Sequence, residues 1–463
     1  MSVDDCLFFP AGFLWGTATA AHQVEGGNEN NDWWVWEQMP GRVRDGGRSG
    51  LAADWWHRAE EDLARAAQWG QNSHRLSLEW SRLEPRPGAW DEDVAARYRR
   101  MLGTMRALGL TPMITLHHFT LPLWAYERGG WQHPEMASWF IRFVSRVVET
   151  FGEHCQLWCT LNEPLVQIAY GYVLGIWPPG NRGLLAARRA LLHMRDAHIG
   201  AYETIHQRQP HAQVGIAKHI HLFEEANPRS VLDRLGAAFL DHLFNESGLA
   251  ALVDGELLLP IGLMRRPTRQ ARWADFIGVN YYWRSRVRFD TMHARAVFLG
   301  ELPMPGASPS MNGWGMLCPE GLYYALKRVA LWGKPIYITE FGVLDNGVVD
   351  EEPRSRAILE HVAAIYRAIR EGVDVRGAYY WSLVDCFEWA EGWSVRFGLM
   401  HLDPDNQERR LKPGSRVYER VARANGLERS LVSELAPEMV MVLFDGNRAS
   451  DVEERRVVRF DAP

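Results

Sequence analysis

Two glutamates stand where paired carboxyl chemistry would put them. Glu163 lies in TLNEP and Glu340 in ITEFG, each at the end of an apolar run. Such a pair suits cleavage of a glycosidic bond: one carboxylic acid protonates the leaving oxygen, and a carboxylate on the other face of the sugar meets the oxocarbenium-like centre. Either glutamate alone has an ordinary structural use, capping a helix or pairing with an arginine. Two of them facing each other across one cavity mouth favour catalysis. A separation of about 5 to 5.5 Å makes the second carboxylate a nucleophile and retains anomeric configuration, whereas about 6.5 to 9.5 Å leaves room for a water and inverts it. The residues alone leave both outcomes open.

Bringing the two together requires a fold that gathers distant strand ends. Eight apolar runs bounded by turn residues read as strands: Phe13–Ala18, His74–Glu79, Pro112–His117, Leu157–Asn162, Gln213–Lys218, Asp275–Tyr281, Pro335–Glu340 and Gly377–Ser382. Successive starts lie 38 to 62 residues apart, too far for hairpins and enough for a crossover helix each time. Helical spacing recurs between them, in Leu63, Ala66 and Ala67, in Phe140, Phe143, Val144, Val147, Val148 and Phe151, and in Ile358, Val362, Ile365 and Ile369. Strands apolar on both faces and alternating with helices predict an α/β fold, a single-domain (β/α)8 TIM barrel, with an open doubly wound sheet as the alternative. No GxGxxG follows the first strand and no GxxxxGK[ST] occurs, which weakens the nucleotide-binding versions of that alternative. In a barrel the site is built at the carboxyl ends of the strands, and the fourth and seventh, which carry the glutamates, lie on opposite sides of the ring.

Composition narrows the partners. The 463 residues carry 51 Lys plus Arg against 57 Asp plus Glu, a net charge of -6 with no basic stripe, so nucleic acid is not an expected partner. No apolar run reaches the eighteen or so residues that span a bilayer, and MSVDDC is acidic where a secretory signal is basic and then apolar. A cytoplasmic protein without a membrane partner is expected. Five scattered cysteines, an odd number, make no disulfide framework and suit a reducing compartment. Cys155 and Cys159 with His154 lack a fourth ligand, so no metal is expected. Trp outnumbers Phe and Tyr, 21 against 18 and 14, as an aromatic-walled pocket would require.

From about Phe13 to about Gly426 the chain resembles glycoside hydrolase family 1, the β-glucosidase and β-glycosidase family. The resemblance rests on FLWGTATAAHQVEGG, HRLSLEWSRLEP, TLHHFTLPLW, TLNEP, GIWPPG, GVNYY, GWGMLCPEGLYYAL, YITEFG and WSLVDCFEWAEGWSVRFGL, in family order. It implies a barrel, retaining chemistry through a covalent glycosyl-enzyme, and neither metal nor organic cofactor. It also implies an exo-acting β-glycosidase for terminal glucose, and for galactose or fucose, on aryl glycosides or short oligosaccharides. By the same resemblance Glu163 is the acid/base and Glu340 the nucleophile. Arg75, Asn280 and Tyr282 support them, and Asn162 holds the sugar 2-hydroxyl. Gln23, His118, Trp381, Glu388 and Trp389 match the residues that hold the non-reducing sugar, and Trp314 an aglycone platform, with Trp177 as a possible addition to that wall. Burial and the charge of Glu340 are expected to raise the pKa of Glu163. A carboxylate at Glu388 would repel a 6-phosphate, so unphosphorylated sugars are expected. Barrels of this kind often form homo-oligomers.

Four positions depart from the family pattern: Phe341 where Asn is common, Thr120 where Asp is, Cys386 where Asn is, and Trp393 where Tyr is. The barrel domain is expected over residues 1–426. Residues 427–463 form an extension beyond the resemblance, in which MVMVLFD and RRVVRFD, separated by DGNRASD, suggest a hairpin packed on the barrel.

Overall fold

The computed structural model describes residues 5–291, 299–302, 308–309, 316–345 and 351–444. Its centre is a closed barrel of eight parallel strands: β1 (Leu14–Ala18), β2 (Ser73–Ser77), β3 (Thr111–His117), β4 (Leu157–Asn162), β5 (Gln213–His219), β6 (Phe276–Tyr281), β7 (Ile336–Phe341) and β8 (Val375–Trp381). Each strand pairs with its neighbours in sequence, and β8 closes the ring on β1. All eight expected strands are present; Leu157–Asn162 has the expected bounds and the others differ by one or two residues at one or both ends.

The strands run between a side-chain-filled interior and a helical shell, which is why they are buried along nearly their whole length. Helices Trp55–Gln68, Met136–Phe151 and Glu351–Arg370 carry the apolar stripes visible in the sequence. Phe140, Phe143, Val144, Val147, Val148 and Phe151 are all buried, as are Leu63, Ala66, Ile358, Val362 and Ile365; Ala67 and Ile369 pack partly buried at the edge. The open-sheet alternative is excluded by closure.

Two features depart from expectation. A three-stranded sheet of Leu222–Glu225, Arg284–Phe289 and Leu299–Leu302 extends from the ends of β5 and β6. The expected terminal hairpin is not formed in its first half: Glu438–Leu443 is a helix, and RRVVRFD lies outside the described residues. Met439, Val440, Leu443 and Phe444 pack against the core while Met441 and Val442 are exposed, a spacing that fits a helix turn and not a strand's alternation. Residues just past Gly426 are part of the barrel's packing. Gly426–Glu428 pairs antiparallel with Cys6–Phe8, and Leu427, Leu431 and Val432 are buried. No helix among the described residues is long and apolar enough to cross a membrane.

Candidate active site

The strand ends that carry the two glutamates are irregular. Pairing register shifts between Cys159 and Asn162 on β4 and between Ile338 and Glu340 on β7, just where the carboxylates leave the ladder. Irregularities of this kind re-aim side chains at barrel rims. Glu163 then takes a left-handed backbone, φ 43°, which ends the strand abruptly, and Pro164 opens helix Pro164–Ile168 with its preset φ. A left-handed glutamate costs about 1 kcal/mol or more, a strain held by the packed barrel around it.

A continuous polar chain joins the two carboxyls. Arg75, on β2, donates from Nη1 to Glu340 Oε1 at 2.6 Å and from Nη2 to Asn162 Oδ1 at 2.7 Å. Asn280, on β6, donates from Nδ2 to that same Asn162 oxygen at 3.2 Å and to Glu163 Oε1 at 2.8 Å. Tyr282 donates its phenol proton to Glu340 Oε2 at 2.7 Å. Deeper in the barrel Thr115 accepts from Arg75 Nε, and Thr339 donates to Asn280 Oδ1, so both supporting side chains are held at their far ends. All eight of these residues except half-buried Tyr282 are at most 8% exposed, so their charges act in a medium far less polar than water.

Burial pushes Glu340 up to about 7, opposed by the Arg75 guanidinium and reinforced by the negative charge of Glu163. Burial alone would raise Glu163 as well, but the His219 imidazole and the Asn280 amide together hold it below the usual carboxylate value. The expected rise at Glu163 is therefore reversed: the higher proton affinity of the pair lies at Glu340. Two interacting carboxyls titrate as a unit, so one proton is shared between them up to near neutrality.

Beside the pair lies a pocket whose polar atoms are incompletely satisfied. Gln23 Nε2 donates to Glu388 Oε2 at 3.0 Å and to the carbonyl of Phe387 at 2.9 Å, leaving its buried Oε1 without a partner among the described residues. Asn162 Nδ2 donates to His118 Nε2 at 3.1 Å, so His118 carries its proton on Nδ1, a second buried atom without a partner there. Burial and the Arg75 charge hold that ring neutral. Burial and the charge of Glu340 push Glu388 up to about 8. Indoles form the wall: His118 stacks between Trp381 and Trp389, and Trp389 continues through Trp33, Phe119 and Trp177. One acceptor, one donor, a carboxyl and aromatic faces suit a polyhydroxylated ring. Trp314 lies outside the described residues.

Comparison with known sequences decides the class. The profile of glycosyl hydrolase family 1 matches residues 7–250 and 268–427. The chain belongs to glycosyl hydrolase family 1. Family 1 membership makes it a hydrolase of O-glycosidic bonds. β-Glucosidase A of Thermotoga maritima is 32% identical over 446 residues, 91% of this chain and 99% of its own length. A β-glycosidase structure from Pyrococcus horikoshii is 35% identical, with a TM-score of 0.84 over 93% of this chain and 98% of that one. The T. maritima β-glucosidase in complex with deoxynojirimycin matches with a TM-score of 0.84 at 32% identity, over 91% of this chain and 100% of that one.

Of the departures from the family 1 pattern, Phe341 lies behind the barrel wall and Cys386 beside the pocket. Phe341 is fully buried against Tyr380, His361 and Tyr418, between barrel and helices. Thr120 donates to Glu79, and Trp393 donates through its indole to the carbonyl of Arg48. Cys386 is closest to the pocket, its Sγ 3.7 Å from Gln23 Nε2 and 3.9 Å from Glu388 Oε2. His219, at the end of β5 beside Glu163, is absent from the residues singled out in the sequence. Its position at the carboxyl end of a predicted strand was the signal available.

Proposed function

We propose that this family 1 hydrolase is a retaining, exo-acting β-glycosidase that releases terminal glucose, and also galactose or fucose, from aryl glycosides or short oligosaccharides. Glu340 attacks the anomeric carbon as Glu163 passes its proton to the departing oxygen, which breaks the glycosidic bond and leaves a glycosyl ester on Glu340. Glu163, now a carboxylate, takes a proton from water, and the hydroxide so formed displaces Glu340 and frees the sugar with retained configuration. Arg75 and Tyr282 favour the anionic form of Glu340 that attacks, against the burial that raises its proton affinity. The observation that carries this reading is the hydrogen-bonded chain from Glu340 through Arg75, Asn162 and Asn280 to Glu163, which ties the two carboxyls into one site with different partners.

Gln23, His118 and Glu388 offer the sugar hydroxyls their unsatisfied atoms, and Trp381 and Trp389 its C–H faces. Glu388 enters the neutral-pH site as an acid, so exclusion of a 6-phosphate rests less on repulsion than first expected. It rests on the hydrogen-bonding neighbours of Glu388 among the described residues, Gln23, Cys386 and Trp381, none of which is a cation that could balance the phosphate. The cysteines, all free thiols, suit a reducing compartment.

The test is hydrolysis of p-nitrophenyl β- and α-glycosides, with a 6-phospho-β-glucoside, by wild type, Glu340→Ala and Glu163→Ala. β-Glucoside hydrolysis that vanishes in Glu340→Ala and is lost more for poor than for good leaving groups in Glu163→Ala is expected. Undiminished hydrolysis by Glu340→Ala overturns the assignment.

A further inference from the structure

The fifth barrel strand ends in two buried bases, Lys218 and His219, for which the reaction above has no stated use. His219 Nδ1 lies 3.4 Å from Glu163 Oε1, the same oxygen that accepts from Asn280 at 2.8 Å. Nδ1 is buried and makes no aligned hydrogen bond among the described residues, so the Glu163 carboxyl is the polar group it meets at contact distance. The ring is fixed from several sides. It stacks on Tyr282, at 6.1 Å and 20°, and meets Phe244 edge-on at 5.9 Å and Trp283 at 5.8 Å. The other charged and titratable groups around it are His221, 6.0 Å away ring to ring, and Lys218, whose ammonium donates to the His219 carbonyl, sits 4.1 Å over Phe244 and feels Asp241 and Arg328. Through Tyr282 the same stack reaches Glu340. Glu163 Oε2, in contrast, takes no hydrogen bond among the described residues.

We propose that His219 is a positioning residue for Glu163: with Asn280 it fixes Oε1 and leaves Oε2 as the oxygen that gives the proton in the first step and takes it from water in the second. This rests on reading Glu163 as the acid/base. The lowered proton affinity of Glu163 has a cost in the first step, where it must arrive protonated. A site so arranged favours good leaving groups and rapid turnover of the glycosyl-enzyme.

Two variants separate the donor from the packing. His219→Phe keeps an aromatic ring against Tyr282 and removes the N–H; His219→Gln keeps an N–H without the ring. Rates are normalised to sites titrated with a 2-deoxy-2-fluoroglucoside, which counts folded, competent enzyme. His219→Phe is expected to move the acidic limb of the kcat/KM profile up by about one pH unit, since Glu163 is the carboxyl of lower proton affinity and loss of a polar neighbour at this distance raises it by about that much. Its turnover of dinitrophenyl β-glucoside, limited by the second step, is expected to fall about ten-fold, with part of both effects returned in His219→Gln. A His219→Phe profile and second-step rate that overlay the wild type overturn the proposal. If His219→Phe titrates no sites, His219→Gln decides, and its coincidence with wild type in both readouts overturns the proposal. Glu163→Ala, run alongside, distinguishes the two failures: leaving-group-independent loss in that variant removes the acid/base reading itself, whereas a normal acid/base signature with silent His219 variants removes only the role of His219.

Discussion

Glu340 is held by two short charge-assisted hydrogen bonds, from Arg75 at 2.6 Å and from Tyr282 at 2.7 Å. A bond of this type contributes about 1.5 to 3 kcal/mol in a buried site. Tyr282→Phe removes one while keeping the ring that stacks on His219. Its kcat/KM for an aryl β-glucoside is expected to fall about 10- to 100-fold, at about 1.4 kcal/mol per factor of ten. The sign of its pH effect also follows: the phenol lowers the proton affinity of Glu340, so the basic limb of the profile moves up in the variant. Steady-state kinetics across pH check both. Asn162, Glu163 and Glu340 were legible in the chain because each is a polar residue at or just beyond a strand's carboxyl end, whereas Arg75, in the middle of β2, Asn280 and Tyr282 came only through the family resemblance. What was not legible is which carboxyl holds a proton more tightly. That depends on His219 and on burial, and both are set by which strands become neighbours in the ring.

Among the elements, β6 and β7 must approach closely to set Asn280 beside Glu163. Gly278 on β6 makes the approach possible: a Cβ there would lie 2.8 Å from Thr339 Cγ2 and 2.8 Å from the Ile216 carbonyl. Thr339 is the side chain that fixes Asn280, so strain at Gly278 passes directly to the acid/base's partner. Gly278→Ala is expected to lower stability by about 1 to 3 kcal/mol, the usual range for overpacking, and to reduce kcat in the fraction that folds. Urea denaturation and active-site titration measure the two effects apart. The eight strands could be read from the sequence because two-sided burial leaves nearly unbroken apolar runs. Arg284–Phe289 escaped notice because only one side of it is covered: Ser285 and Val287 are buried while Arg288 and Phe289 are exposed, so its polar residues mask the pattern. MVMVL misled for the opposite reason. A short apolar run has no period of its own, and only the spacing of the residues that reach the core, Met439, Val440 and Leu443, distinguishes helix from strand.

Across the whole molecule, buried ionisable groups of opposite kinds compete to set the pH of greatest stability. Burial pushes Glu25 and Glu340 up to about 7 and Asp32 and Glu388 up to about 8. An acid raised on folding contributes stability fully below its unfolded value, about 4, and loses that contribution as pH rises through its folded one. Burial also holds His74, His117, His118, His198, His221 and His361 below their ordinary value, some of them at about 3 to 4. A histidine lowered on folding contributes fully above its unfolded value, about 6.5, and loses that contribution as pH falls. Below pH 6 the histidines outweigh the acids, and stability climbs with pH; above about pH 6.5 they have ceased to titrate and the acids pull it down. The unfolding free energy is therefore expected to peak at about pH 6 and to decline toward both pH 5 and pH 7.5, measured by urea denaturation at each pH. Asp32→Asn tests the descending side. The amide keeps the acceptor that Asp32 offers the backbone of Leu121 and Trp33 but cannot ionise. Its decline above pH 6 is expected to be shallower than wild type by up to about 1.4 kcal/mol per pH unit, the slope of one proton, with the maximum displaced upward. An unchanged slope would mean that Asp32 is already ionised in the folded protein.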